Sequence, residues 1–218
     1  MYHTVEQGEH LSSIARQYGF TDYQVIWNDA NNAELKKKRQ NPNVLYPGDE
    51  LYIPDKDKKQ EPGNTEQRHT FQLKQSPLEL RLVLENLYYK PIANARCDLH
   101  VENQVFELTT DSRGRLQQEI PATAEKALLV IHDPDTPLNE TAITLQIGHL
   151  DPVEEISGQK ARLKNLGYFA GSLEDSDDED SEMRFKAAVE EFQCDEELLV
   201  DGICGPKTQA KLKKVHGC

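Results

Sequence analysis

Apolar positions change their spacing twice along this chain, and the changes divide it. Near the start they fall at Leu11, Ile14, Ala15 and Tyr18, the i, i+3, i+4, i+7 stripe of an amphipathic helix. Gly19 follows as a stop signal. Asp22 stands where it can cap a second helix, whose stripe is Tyr23, Ile26, Trp27 and Ala30. Short extended segments at residues 3–6 and 50–53 flank the pair. The second is introduced by the turn Tyr46-Pro47-Gly48-Asp49 and closed by Pro54. The predicted order is strand–helix–helix–strand, with the two ends pairing as a two-stranded sheet.

Beyond residue 67 the period becomes two. FQLKQ, LELRLVLEN, ARCDLHVEN, QVFELTTD, RLQQEIP, KALLVI and AITLQIG are short alternating runs separated by turn residues. Seven strands in this space predict an antiparallel β-sandwich. Past residue 150 the helical period returns. Ile156, Leu163 and Leu166 mark a first helix, and Phe185, Ala188, Val189 and Phe192 a second. Pro206 opens a third that carries Thr208, Leu212 and Val215. Residues 55–67 (DKDKKQEPGNTEQ) lack any large apolar side chain and read as a linker. The predicted architecture is multidomain α+β: a βααβ module at 1–54, the linker at 55–67, a sandwich at 68–150 and a three-helix module at 151–218.

Three resemblances attach to these segments. YHTVEQGEHLSSIARQYGF with NPNVLYPGDELYIP resembles a LysM domain over about residues 2–54. It departs from the usual pattern at Glu9 and His10, and AELKKKRQN lengthens the link to the second strand. The resemblance implies a groove for N-acetylglucosamine-containing glycan. Gly8, Glu9, His10 and Leu11 would form one wall, and Asn43, Val44, Leu45 and Tyr46 the other; Leu11, Leu45 and Tyr46 also read as core filler. Such a sugar is neutral and amphipathic, held by backbone N–H and C=O groups and by apolar contacts, and Gly8 permits close backbone approach. KPIANARCDLHVENQVFELTTDSRGRLQQEIP resembles prealbumin-like repeats, with Asp111 and Gly114 making a hairpin turn. ARLKNLGYFAG, FKAAVEEFQ and DGICGPKTQAKL resemble the three-helix peptidoglycan-binding module attached to many wall hydrolases. That resemblance implies a site among Tyr168, Phe169, Gln193, Asp201, Gly202, Gly205 and Thr208. Where the module has a second glycine turn, this chain has the acidic run SLEDSDDEDSE. The run lacks the spacing and the glycine of a calcium loop and reads as solvated.

Charge and composition narrow the partners. The net charge of −13 is weighted toward the end: residues 1–60 carry 8 basic and 9 acidic side chains, residues 61–150 carry 8 and 13, and residues 151–218 carry 9 and 16. An acidic chain is a poor polyanion binder, which excludes nucleic acid and anionic membrane as expected partners. The basic run at Lys36, Lys37, Lys38 and Arg39 reads as a solvated helix end. No apolar stretch approaches a membrane span, mean hydropathy is −0.73, and MYHTVEQGEHL has no basic start followed by an apolar core. Synthesis in the bacterial cytoplasm and arrival at the wall or periplasm by non-classical delivery is therefore the expectation. Cys97, Cys194, Cys204 and Cys218 show no zinc spacing, and one disulfide among the last three or reduced thiols throughout both fit.

No serine-hydrolase, zincin or cysteine-nucleophile motif is present, and no cofactor or metal is expected. The expected function is non-catalytic peptidoglycan binding through two modules joined by a β-sandwich spacer. An alternative follows from the arrangement, which resembles accessory proteins of contractile injection machines such as type VI secretion. There the chain would dock on a spike or effector protein.

Overall fold

The computed structural model describes residues 1–56, 66, 68, 78–86, 88, 90–132, 140–171 and 179–218. Most of the linker, the predicted strand at 71–75 and residues 172–178 of the acidic run lie outside the described residues. The chain divides into two compact units, Met1–Asn43 with Pro47–Gly148, and Val44–Tyr46 with His149–Cys218. The fold is mixed α+β, with antiparallel sheets.

The first unit opens with β1 (Tyr2–Thr4), α1 (Leu11–Gln17) and α2 (Gln24–Trp27). A 3₁₀ turn (Ala30–Asn32) leads to α3 (Ala33–Arg39), and β2 (Glu50–Tyr52) follows. β1 and β2 pair antiparallel, with His3 opposite Leu51, as the sequence predicts. Leu11, Ile14 and Ala15 of α1 are buried, as are Ile26, Trp27 and Leu51. The N-cap of α2 is Tyr23 and not the expected Asp22, which lies one residue earlier and accepts the Gln24 N–H on Oδ1 at 2.8 Å. Buried Asn32 extends the small sheet, because its side-chain amide imitates a strand. Its Nδ2 donates to the carbonyls of Ile26 and Tyr52, both at 2.8 Å, and its Oδ1 accepts the Tyr52 N–H at 2.7 Å.

The segment that lengthens the second connection is itself helical, as α3. Its basic end corrects the solvated-end expectation. Lys36, Lys37 and Lys38 are exposed, but Arg39 is buried. Arg39 donates through Nε to Asp49 Oδ2 at 2.7 Å and through Nη2 to Asp49 Oδ1 at 2.9 Å. Two buried charges tolerate one another because the planar guanidinium meets the carboxylate at two points.

The rest of this unit holds β3 (Leu78–Val83), β4 (Arg96–Val101), β5 (Gln104–Thr109), β6 (Arg115–Ile120), β7 (Lys126–His132) and β8 (Thr141–Gln146). Among the described residues they form an antiparallel β3–β6 pair and a four-stranded antiparallel sheet in the order β5–β4–β7–β8. Alternation puts Cys97, Leu99 and Val101 of β4 and Ala127, Leu129 and Ile131 of β7 into one core with Leu116 and Ile120 of β6. The turn at Asp111 and Gly114 forms as expected, with Gly114 at φ +71°. Asp111 Oδ1 accepts the N–H groups of Arg113 and Arg115 at 2.7 and 2.9 Å. It is not a hairpin between paired strands, however. β5 pairs with β4 and β6 with β3, so the turn carries the chain from one sheet to the other. A β-carbon on Gly114 would lie 2.4 Å from the Leu84 carbonyl oxygen, so close packing also requires glycine here.

The second unit contains α4 (Ile156–Asn165), α5 (Glu179–Asp195) and α6 (Pro206–His216). Its core joins Val153, Leu163, Tyr168, Ala170, Ala188, Val189, Phe192 and Leu212. Ile156 is exposed, and Val153, just before α4, takes the inward place assigned to it from the sequence. Buried Arg162 donates to the carbonyls of Asp151, Gly158 and Cys218 at 2.7–2.8 Å, tying both ends of this unit to α4. None of the four cysteines is in a disulfide.

Candidate functional site

The loop after β1 is built around Gly8, at φ +89°. Glu9 follows with its carboxylate turned inward: Oε2 accepts the Glu6 N–H at 2.8 Å and lies 2.8 Å from His3 Nε2. His3 Nδ1 is 3.1 Å from the Tyr18 hydroxyl. The arrangement that satisfies both contacts has Nε2–H donating to the carboxylate and Nδ1 accepting from tyrosine. The linkage of His3 to Glu9 and Tyr18 is not legible in the sequence, because it crosses a strand, a loop and a helix. His10 is the N-cap of α1: its Nδ1 accepts the Ser13 N–H at 3.4 Å, while Ser13 Oγ accepts the His10 N–H at 3.1 Å. It is only 2% exposed, and burial pulls its pKa down to about 4. Leu11 is fully buried.

The Leu11 N–H donates to the Pro42 carbonyl at 3.3 Å, and Ser12 Oγ lies 3.5 Å from Asn43 Oδ1. The structure therefore brings Leu11, at the end of one candidate wall, close to Asn43 of the other. Val44, Leu45 and Tyr46 are grouped with the second unit; the first two are buried and Tyr46 is half-buried.

In the second unit, Gln193 organises most of the candidate set. It is 1% exposed. Its Nε2 donates to Asp201 Oδ1, the Ile203 carbonyl and Thr208 Oγ1 at 2.8–3.0 Å, and its Oε1 accepts the N–H groups of Asp201 and Gly202 at 3.0 Å. One amide thus clamps the loop after α5 to the first turn of α6, whose N-cap is Gly205. Asp201 is exposed, and the Ile203 N–H on its carboxylate holds it below the usual range. Thr208 is buried in the same network.

Tyr168 and Phe169 behave oppositely despite being adjacent. Tyr168 is buried, edge-on to Phe192 at 5.7 Å, with its hydroxyl donating to Asp195 Oδ2 at 2.9 Å. Phe169 is 70% exposed, with the Arg184 guanidinium 5.6 Å from its ring centre. Leu199, Val200 and Ile203, around Asp201, are also exposed. They escaped the sequence reading because an apolar loop between two helices has the composition of core.

Residues 3–54 match the family model described as "LysM domain", and residues 154–212 match that described as "Putative peptidoglycan binding domain". The chain carries a LysM domain and a peptidoglycan-binding domain. Neither a curated protein nor a solved structure matches it. The bounds of the LysM match enclose α3. The peptidoglycan-binding match spans all three helices and reaches Leu212 in α6.

Among the described residues, no group of three His, Cys, Asp or Glu side chains is placed to hold a metal ion, and no helix is long and apolar enough to cross a membrane. His132 lies 2.8 Å from Asp98 and 3.2 Å from Glu140, and this hydrogen bond holds the Asp98 carboxyl low. Asp98 and His132 tie neighbouring strands β4 and β7.

Proposed function

We propose that this protein binds bacterial peptidoglycan at both ends without cleaving it, acting at the cell wall or in the periplasm. The observation that carries the reading is the presence of two unrelated wall-module families in one chain, at 3–54 and 154–212. Together they support a cell-wall-binding protein. The finer assignments follow from chemistry. In the LysM domain, the backbone of residues 8–10 supplies carbonyl and N–H groups for the acetamido group of N-acetylglucosamine. In the second module, exposed Phe169 offers an apolar face for a sugar ring, braced by Arg184. Asp201, Gly202 and Gly205 offer a polar loop between α5 and α6. Gln193, Thr208 and Tyr168 act by holding that loop and core in place. Retention of the full chain on purified sacculi tests the binding, and no retention at moderate salt would overturn it. Release of soluble muropeptides from labelled sacculi would overturn the non-catalytic part.

A second reading is that the chain is an accessory or adaptor of a contractile injection system, docking on a spike or effector protein. What favours it is the added helix α3 with Lys36, Lys37 and Lys38 exposed, a basic row on an otherwise acidic chain. Co-purification with a spike protein tests it, with reversal of the three lysine charges abolishing the association.

A further inference from the structure

The first unit contains a close approach that wall binding alone does not require. Gly148 follows buried Ile147, whose N–H donates to the Glu125 carbonyl at 2.9 Å, so it is anchored to the β-domain beyond β8. It adopts φ +81°, and its backbone lies directly against the LysM loop. A β-carbon on Gly148 would sit 2.3 Å from the Gly8 carbonyl oxygen, 3.2 Å from the Gly8 carbonyl carbon and 3.0 Å from His10 Cδ2. Real β-carbons do not approach a carbonyl oxygen so closely. Glycine meets glycine at this point because no side chain fits on Gly148. The covered groups are the backbone and ring of the loop just assigned to glycan, and His10 beneath them is almost completely buried.

We propose that the turn at Gly148 is a built-in cap on the LysM loop, so that glycan reaches Gly8 and His10 only when the end of the β-domain lifts away. This rests on the reading of residues 8–10 as a glycan-binding wall. The β-domain is then a regulator as well as a spacer. A sugar that needs the Gly8 carbonyl competes with Gly148 for the same face of the loop, and its apparent affinity is reduced by the fraction of time the cap is open. The Gly148 turn lies against the buried His10 ring, whose pKa burial lowers to about 4, so the His10 titration reports on the cap.

Gly148→Val in the full chain is the test, because the new side chain meets backbone it cannot displace and favours a different φ. Two quantities are read by NMR for wild type and variant: the His10 titration midpoint and the affinity for chitotetraose. The expected result is a His10 midpoint moving up toward the ordinary 6.5 and chitotetraose binding tightened about tenfold. An unmoved His10 midpoint overturns the cap, whatever the wild type binds. A raised midpoint with equal, measurable binding by both proteins also overturns it while leaving the glycan reading intact. A raised midpoint with no binding by either overturns both. Gly148→Ala, which brings the same clash with less bulk, replaces the valine variant should that fail to fold.

Discussion

His10 combines three roles that conflict at low pH. It caps α1 by accepting a hydrogen bond at Nδ1, it is buried, and its pKa is depressed to about 4 by that burial. Protonation removes the acceptor and places a charge in the interior. The unfolded chain takes up the proton near pH 6.5, well before the folded one, so stability is full above that value and lost as pH falls from 6.5 toward 4. At pH 5 the loss is on the order of 2 kcal/mol. Urea midpoints at pH 7 and pH 5 measure it. His10→Asn, which keeps a cap acceptor that does not titrate, should flatten the part of the dependence due to this residue. His216, also depressed to about 4 mainly by burial, supplies the remainder. The buried pair of Arg39 and Asp49 makes a sharper case. Asp49→Ala takes both carboxylate contacts from a buried guanidinium, at an expected cost of about 3–5 kcal/mol. Adding Arg39→Met should recover much of it, measured by denaturant unfolding of the double variant.

At the scale of elements, helices here are held by side-chain amides as much as by apolar stripes. Gln193 does for the second unit what Asn32 does for the LysM sheet: each supplies both a donor and an acceptor where the backbone lacks a partner. Gln193→Leu keeps volume but leaves the N–H groups of Asp201 and Gly202 unsatisfied, costing about 2–4 kcal/mol at roughly 1–3 per orphaned group after relaxation. The amide resonances of Asp201 and Gly202 should move while those of β1 and β2 stay in place. Gly158 sets the position of α4 in another way, since a β-carbon there would meet the Pro152 carbonyl oxygen at 2.0 Å. Gly158→Ala should therefore destabilise this unit by about 1–3 kcal/mol through overpacking, seen as a lowered Tm.

For the whole molecule, the proposed function has two wall modules on one chain, which would gain from effective concentration if both engaged the same sacculus. Phe169→Ala removes an exposed ring from one of them. Retention on sacculi should weaken by about 10–100-fold with the circular dichroism spectrum unchanged, whereas an unchanged affinity would remove Phe169 from the binding face. How far the chain itself foretold this picture depends on the range of the interactions involved. Local periodicity was sufficient for α1, for the strands from 78 to 146 and for the three C-terminal helices, because each buries a stripe that recurs within a few residues. The turn at Gly114 was equally local, needing only a residue that tolerates positive φ. Three features were not local. The turn at Asp111 and Gly114 joins two sheets, because strand pairing is chosen by the shared core and not by the turn. Arg39 is buried because Asp49, ten residues on, returns to meet it. Gln193 and Thr208 left the list of accessible candidates because the loop between their helices folds back over them. Sequence by itself determined the modules and their order, since these rest on short-range spacing. Tertiary structure decided which motif residues face solvent and which hold the loops in place, because burial depends on neighbours that sequence distance does not reveal.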